Sequence, residues 1–176
     1  MRKKTAIILV AVCAVITAAC VAVTIVTLMG REDAPAPIAP DYAPKEEEPN
    51  AEPIPDDTGD KLEQSEGGGA VSLLYATEVT VDLSDGRAEM MFANPQRSNQ
   101  DIVLQVVMKD RLVAQSGRIT PGNRVTRLDL LPDGPTLGAG FYAAESCRFV
   151  VLYYDPVSGE KAMLNTEIPI TVTVRE

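Results

Sequence analysis

Hydropathy along the chain changes character twice. From Thr5 to Met29, 25 residues run without a charge, and twelve of them are Val, Ile or Leu. From Ala70 to the end, apolar and polar positions alternate at period two, with turn residues between runs. That alternation is the mark of half-buried strands. Val71, Leu73, Tyr75, Val79, Val81 and Leu83 make one apolar face, and Ser84-Asp85-Gly86 reads as a tight turn. Ala88, Met90 and Phe92 follow, then a loop at Asn94–Asn99, then the strict alternation of Ile102, Leu104, Val106 and Met108. A turn at Lys109-Asp110, a short strand with Leu112 and Ala114, and a turn at Thr120–Asn123 come next. A strand is expected over 125–131, then a loop over Pro132–Gly140. The run Phe141–Tyr154 is apolar on both sides, and opposite parity at Tyr142 and Cys147 predicts a bulge near Glu145. In the last strand Ala162, Leu164, Ile168, Ile170, Val172 and Val174 are expected to face one way. About seven strands without a helix predict a single antiparallel β-sandwich over residues 70–176.

The N-terminal run is too long for the core of a signal peptide, roughly 7 to 15 residues, and long enough to span a bilayer, which takes about 20. Its twelve branched aliphatics contribute on the order of −4 to −7 kcal/mol toward insertion. Arg2, Lys3 and Lys4 are the only charges before it, and basic flanks stay cytoplasmic. Residues 1–30 therefore read as an uncleaved signal-anchor with the C-terminal part outside the cell. Two other fates stay open. Thr17-Ala18-Ala19-Cys20 is a partial lipobox that would anchor a lipoprotein through Cys20, and Ala34-Pro35-Ala36 fits the letters of a signal-peptidase site.

Between run and body, residues 31–69 hold seven prolines and twelve acids against Arg31, Lys45 and Lys61. Such a composition buries little apolar surface, so it reads as a disordered linker. Stretched, 39 residues would reach roughly 120 Å, whereas a flexible coil would average about 35 Å. The net charge of −9 thus sits almost wholly in this segment. Residues 70–176 carry thirteen acids against ten bases and no basic patch, which argues against nucleic acid as a partner.

The chain has no histidine. That excludes histidine triads, bases and metal ligands. Cys13 and Cys20 lie in the apolar run, which leaves Cys147 alone in the body with no disulfide partner. The remaining chemistry reads as structural. Asp82, Asp85, Asp110 and Asp133 sit in turns without a calcium-loop pattern. Asp129 and Glu145 lack the spacing of paired acid catalysis. Ser116 and Ser146 have no histidine base, and a lysine dyad would need Lys109 or Lys161 in contact with one of them. Cys147 reads as a small core residue. An isopeptide staple would use Lys109 or Lys161 with an asparagine such as Asn165, but the opening strand offers no lysine for that layout. Tyr153 and Tyr154 could stack on sugars if exposed. No catalytic, cofactor-binding or metal residue is expected, and the chain reads as non-enzymatic.

Leu137-Gly138-Ala139-Gly140-Phe141-Tyr142 resembles the tyrosine corner of immunoglobulin-like and fibronectin type III-like sandwiches, with Tyr142 as its tyrosine. Three further stretches, FANPQRSNQDIVLQVVM, SGRITPGNRVTRLDL and YYDPVSGEKAMLNTEIPITVTV, resemble uncharacterised membrane-anchored proteins of Gram-positive anaerobes. The resemblance covers about residues 77–174 and implies an Ig-like fold without implying an activity. The expected partners are the membrane, through residues 5–29, and an unknown protein of the cell envelope, reached through strand edges or the loops at Asn94–Asn99 and Pro132–Gly140. An accessory single-pass subunit of an envelope assembly is the alternative.

Overall fold

The structure, a computed structural model, describes residues 39–64, 68–132 and 136–176. The apolar run with its expected helix, Cys13, Cys20 and Asp133 lie outside these residues. The described chain is all-β: it holds no helix, and so none long and apolar enough to cross a membrane. The first six strands are β1 (Ala51–Pro53), β2 (Leu74–Tyr75), β3 (Glu78–Asp82), β4 (Arg87–Asn94), β5 (Asp101–Met108) and β6 (Arg111–Gln115). Then come β7 (Asn123–Asp129), β8 (Gly140–Tyr142), β9 (Cys147–Tyr154), β10 (Lys161–Pro169) and β11 (Thr171–Arg175).

Two sheets result. The larger runs in the order β1-β7-β4-β3-β11-β8, with β2 also paired to β4, and the smaller in the order β10-β9-β5-β6. The expected purely antiparallel sandwich is corrected at one pair. β11 lies parallel to β3, Val172 opposite Val79 and Val174 opposite Val81. The cause is the last strand, which serves both sheets. As β10 it pairs antiparallel with β9, Pro169 opposite Arg148. Proline has no N–H for a ladder, and past it the chain crosses to the other sheet, with Ile170 N–H bonded to the Cys147 carbonyl.

Between the sheets the alternation becomes core. Ile102, Leu104, Val106 and Met108 of β5 and Phe149 and Val151 of β9 are fully buried with Val81, Phe92, Val125, Leu128 and Val172 of the facing sheet. Phe92 and Phe149 meet edge to face, centroids 5.5 Å apart at 83°. Leu164 departs from the expected inward face and is exposed, because the β10–β9 ladder slips between Lys161 and Asn165. The run 141–154 divides between sheets: Phe141 and Tyr142 lie in β8 against β11, and β9 begins at Cys147 in the other sheet. The parity change at Glu145 is thus a sheet switch through a turn, closed by Ser146 N–H to the Ala143 carbonyl, and not a bulge within one strand.

The largest departure from expectation lies in the acidic, proline-rich segment. Residues 39–64 are not a disordered linker. They wrap the body as a strap. All eight residues of β5 are buried, so its second face needs cover too. Val103, Val107, Val150, Leu152 and Tyr154 form a second apolar cluster on the outside of the smaller sheet, and Ala39 and Ala43 pack on it with Leu112. Farther along, the strap supplies β1, antiparallel to β7 with Ala51 opposite Val125. Prolines lower the entropy lost on ordering such an extended segment, and the two-faced apolar strands provide a surface for it to cover.

Gly117 marks the closest approach. A Cβ there would meet the Glu48 nitrogen at 2.9 Å and the Glu47 carbonyl carbon at 3.0 Å, both backbone atoms. Gly117→Ala is therefore expected to lower stability by about 1–3 kcal/mol through overpacking. Limited proteolysis should then cut first within 39–64, and unchanged cleavage there would show that the strap tolerates the added methyl.

Candidate interaction surface

The strap is held at three places, and each is one of the stretches the sequence singles out. The first is the loop Asn94–Asn99. Asn94 is fully buried and its amide donates to the carbonyls of Gln100 and Ile119, both at 3.0 Å. The loop's remaining polar groups hold the incoming chain. Gln96 N–H donates to Asp57 Oδ2 at 2.6 Å, Lys61 Nζ to the Ser98 carbonyl at 2.6 Å, and Asn99 Nδ2 to the Leu62 carbonyl at 2.6 Å. This loop, expected to bind a partner, is occupied by the protein's own segment. Of the other expected loop, Pro132–Gly140, residues 133–135 lie outside the described chain.

The second place is Ser116–Gly122. Ser116 Oγ accepts the Leu104 N–H at 2.8 Å and donates to the Gly117 carbonyl at 2.7 Å, which commits it to structure. Gly117 N–H donates to the buried Glu48 carboxylate at 2.7 Å, and Asn50 N–H donates to its other oxygen at 3.0 Å. Arg118 N–H reaches the Glu46 carbonyl, and Ile54 N–H the Gly122 carbonyl.

The third place is the β9–β10 hairpin. Tyr154 is fully buried and its hydroxyl donates to the Pro40 carbonyl at 3.0 Å. Tyr153 donates to Thr166 Oγ1 at 2.6 Å. The Tyr154 ring is thus enclosed, while Tyr153 is half-buried and packs against the core. Asp155 shapes the turn by accepting the N–H groups of Val157 and Ser158, which hold its carboxyl below the usual range. Ala43 N–H donates to the Gly159 carbonyl and Lys161 N–H to the Asp41 carbonyl, so the strap adds itself to the hairpin edge. Asp41, Tyr42, Glu160, Lys161, Ala162 and Met163 line a shallow groove of about 430 Å3 here.

The other residues weighed from the sequence take structural positions. Asp82 caps the turn before β4 through the N–H groups of Ser84 and Asp85. Asp110 pairs with Arg148 at 2.9 Å and Asp129 with Arg87 at 3.5 Å, while Glu145 is exposed. Lys109 lies over the Tyr142 ring, 4.9 Å from its centroid. Burial pushes the Cys147 thiol up, which opposes formation of a nucleophilic thiolate. The Tyr142 hydroxyl donates to the Gly138 carbonyl at 2.9 Å, four residues back along the chain. Among the described residues no group of three or more acids and cysteines is placed to hold a metal.

Asp101 is the one acid in β5, buried beside Arg118 at 3.7 Å. Desolvation pushes its carboxyl above the ordinary 3.8, and Arg118 offsets only part of that. Above 3.8 the folded chain keeps a proton that the unfolded chain has released, so this group's contribution to stability falls as pH rises through the window up to the raised value. Asp101→Asn is expected to flatten that part of the profile. Urea midpoints of variant and parent across the acid range check it, and parallel curves would refute it.

Sequence reasoning missed one surface. Val157 is 95% exposed at the hairpin tip, Met163 98% and Leu164 79% on β10, and Tyr42 62% on the strap. Alternation at period two places Leu164 inward and the slipped ladder turns it out, while Val157 stands in the hairpin turn and Tyr42 on the strap, where no alternation runs.

No protein-family profile matches the chain, and no curated protein does. Among solved structures, the crystal structure of the E. coli chaperone DraB is similar over 61% of this chain and 55% of that one, at 18% identity and a TM-score of 0.39. The match thus spans about half of that protein's length.

Proposed function

We propose that the chain is a non-catalytic interaction module tethered to the cell membrane by one N-terminal helix over residues 5–29. The N-terminus is cytoplasmic, and the body, an Ig-like sandwich, stands outside and engages a protein of the envelope. The tyrosine-corner bond of Tyr142 supports the Ig-like assignment. The observation that carries the functional reading is the strap. Nine residues, 30–38, separate the apolar run from Ala39, where the body takes up its chain. Ten residue steps reach at most about 35 Å, so the body is held beside the bilayer and not at the end of a long stalk. A tether that short raises the local concentration of any membrane-borne partner, which lets weak contacts suffice.

Protease added to intact cells tests the orientation, and the expected result is digestion of the body without lysis. A body protected until lysis would overturn the proposal. Replacing residues 5–29 by an unrelated spanning helix is expected to preserve the set of envelope proteins cross-linked to the body. Loss of that set while export continues would favour the accessory-subunit reading, in which the helix itself docks. Cys20→Ser is expected to leave membrane fractionation unchanged, and release of the variant would instead mark a lipoprotein.

A further inference from the structure

We infer that the β9–β10 hairpin end of the body docks on the lipid surface of the membrane that holds its tether. Because docking needs the tether, it rests on the reading above. Among the described residues, seven large apolar side chains are exposed, and Tyr42, Val157, Met163 and Leu164 lie on this hairpin and the strap beside it. The same end is where the described chain begins: Pro40 binds Tyr154, Asp41 binds Lys161, and Ala43 binds Gly159. A tether of at most about 35 Å that arrives here brings this end of the body to the bilayer before any other.

The chemistry fits an interface. Tyrosine favours the headgroup level, with its ring toward the acyl chains and its hydroxyl toward water. Met163 and Leu164 are unbranched or flexible enough to insert between lipids, and Val157 stands at the tip of a turn. Asp41, Asp155 and Glu160 outnumber Lys161 around them, which suits a zwitterionic surface over an anionic one. Few apolar groups take part, so the free body would bind lipid weakly, and the tether makes the contact intramolecular. The β10 edge is a poor seat for a second copy. Its ladder slips between Lys161 and Asn165, and it ends at Pro169, two features that block strand addition.

The chain has no tryptophan, so a single one reports its own site. The full chain is reconstituted in phosphatidylcholine vesicles whose acyl chains carry bromine, a contact quencher. Val157→Trp, and Tyr42→Trp as a second reporter, are compared with Asp85→Trp. Asp85 lies at the opposite end, since Leu83 N–H bonds to the Arg175 carbonyl at the far end of the strand path that starts at Lys161. The expected result is blue-shifted emission with at least about two-fold quenching at 157 and 42 and none at 85. Adding Met163→Asp and Leu164→Asp should remove most of the quenching at 157. Equal quenching at 157, 42 and 85 in chains that co-float with the vesicles would overturn docking and leave the tether standing. A blue shift without quenching would mean that protein covers the hairpin, and would overturn docking as well. Chains that fail to co-float would overturn the tether and docking together.

Discussion

A fragment of residues 70–176 is expected to be on the order of 5 kcal/mol less stable than one of residues 39–176, and to precipitate at concentrations the longer fragment tolerates. The shorter fragment keeps every strand but β1. What it loses is cover. Val103, Val107, Val150, Leu152 and Tyr154 would face water on the outside of the smaller sheet. Full burial of one such side chain contributes about 1.5–3 kcal/mol, and the strap shields only part of each. Loss of the strap also strips Gly117 N–H of its carboxylate, and the Gln96 N–H of Asp57. Both groups would turn to water, so each lost bond costs only about 0.5–1.5 kcal/mol. Urea unfolding of the two fragments measures the difference. Coincident transitions would mean that the strap lies on the body without stabilising it, and the short-tether argument would fall with it.

How much of this was legible in the sequence divides along physical lines. Alternation at period two reports which face of a strand is buried, so Ile102, Leu104, Val106 and Met108 could be placed in the core from sequence alone. Alternation carries no direction. The parallel pairing of β11 with β3 was therefore invisible, although Pro169 marks where the last strand leaves its first sheet. Tyr142 was legible because its hydrogen bond is local, four residues back to Gly138. The strap was not, because composition rules ask what a segment can bury by itself. Ala39, Pro40 and Ala43 bury little, and order comes from the surface they meet. That surface did leave a trace. Val103 and Val107 interrupt the polar face of β5, and Val150, Leu152 and Tyr154 that of β9. Strands apolar on both faces need cover on both. The same reasoning explains the loop at Asn94–Asn99, whose polar groups read as free for a partner until the strap is counted. The exposed hairpin end was illegible for a different reason. The ladder slip that turns Leu164 outward depends on pairing and not on the order of residues.

Phe149→Ala is expected to destabilise the body by about 3–5 kcal/mol, the range for removing a buried aromatic ring. Phe149 has no exposure, stands opposite Val106 and Ile168 in its own sheet, and meets Phe92 of the other sheet edge to face. Phe92 in turn stacks against Tyr75, centroids 5.9 Å apart. The three rings form a column whose Phe92–Phe149 contact joins the two sheets, so its loss acts on both. A double-mutant cycle separates this coupling from simple burial. Phe92→Ala and Phe149→Ala each remove apolar area and leave a cavity, and if the rings were independent the two costs would add. Edge-to-face contact adds about 0.5–1.5 kcal/mol beyond area, so the double variant should be less destabilised than the sum by that amount or more, since one merged cavity can also collapse further than two separate ones. Strict additivity would mean that each ring packs against aliphatic neighbours alone. The sheets would then be held together by the valines and isoleucines of β3, β5, β9 and β11, and Phe149 would be one core residue among many.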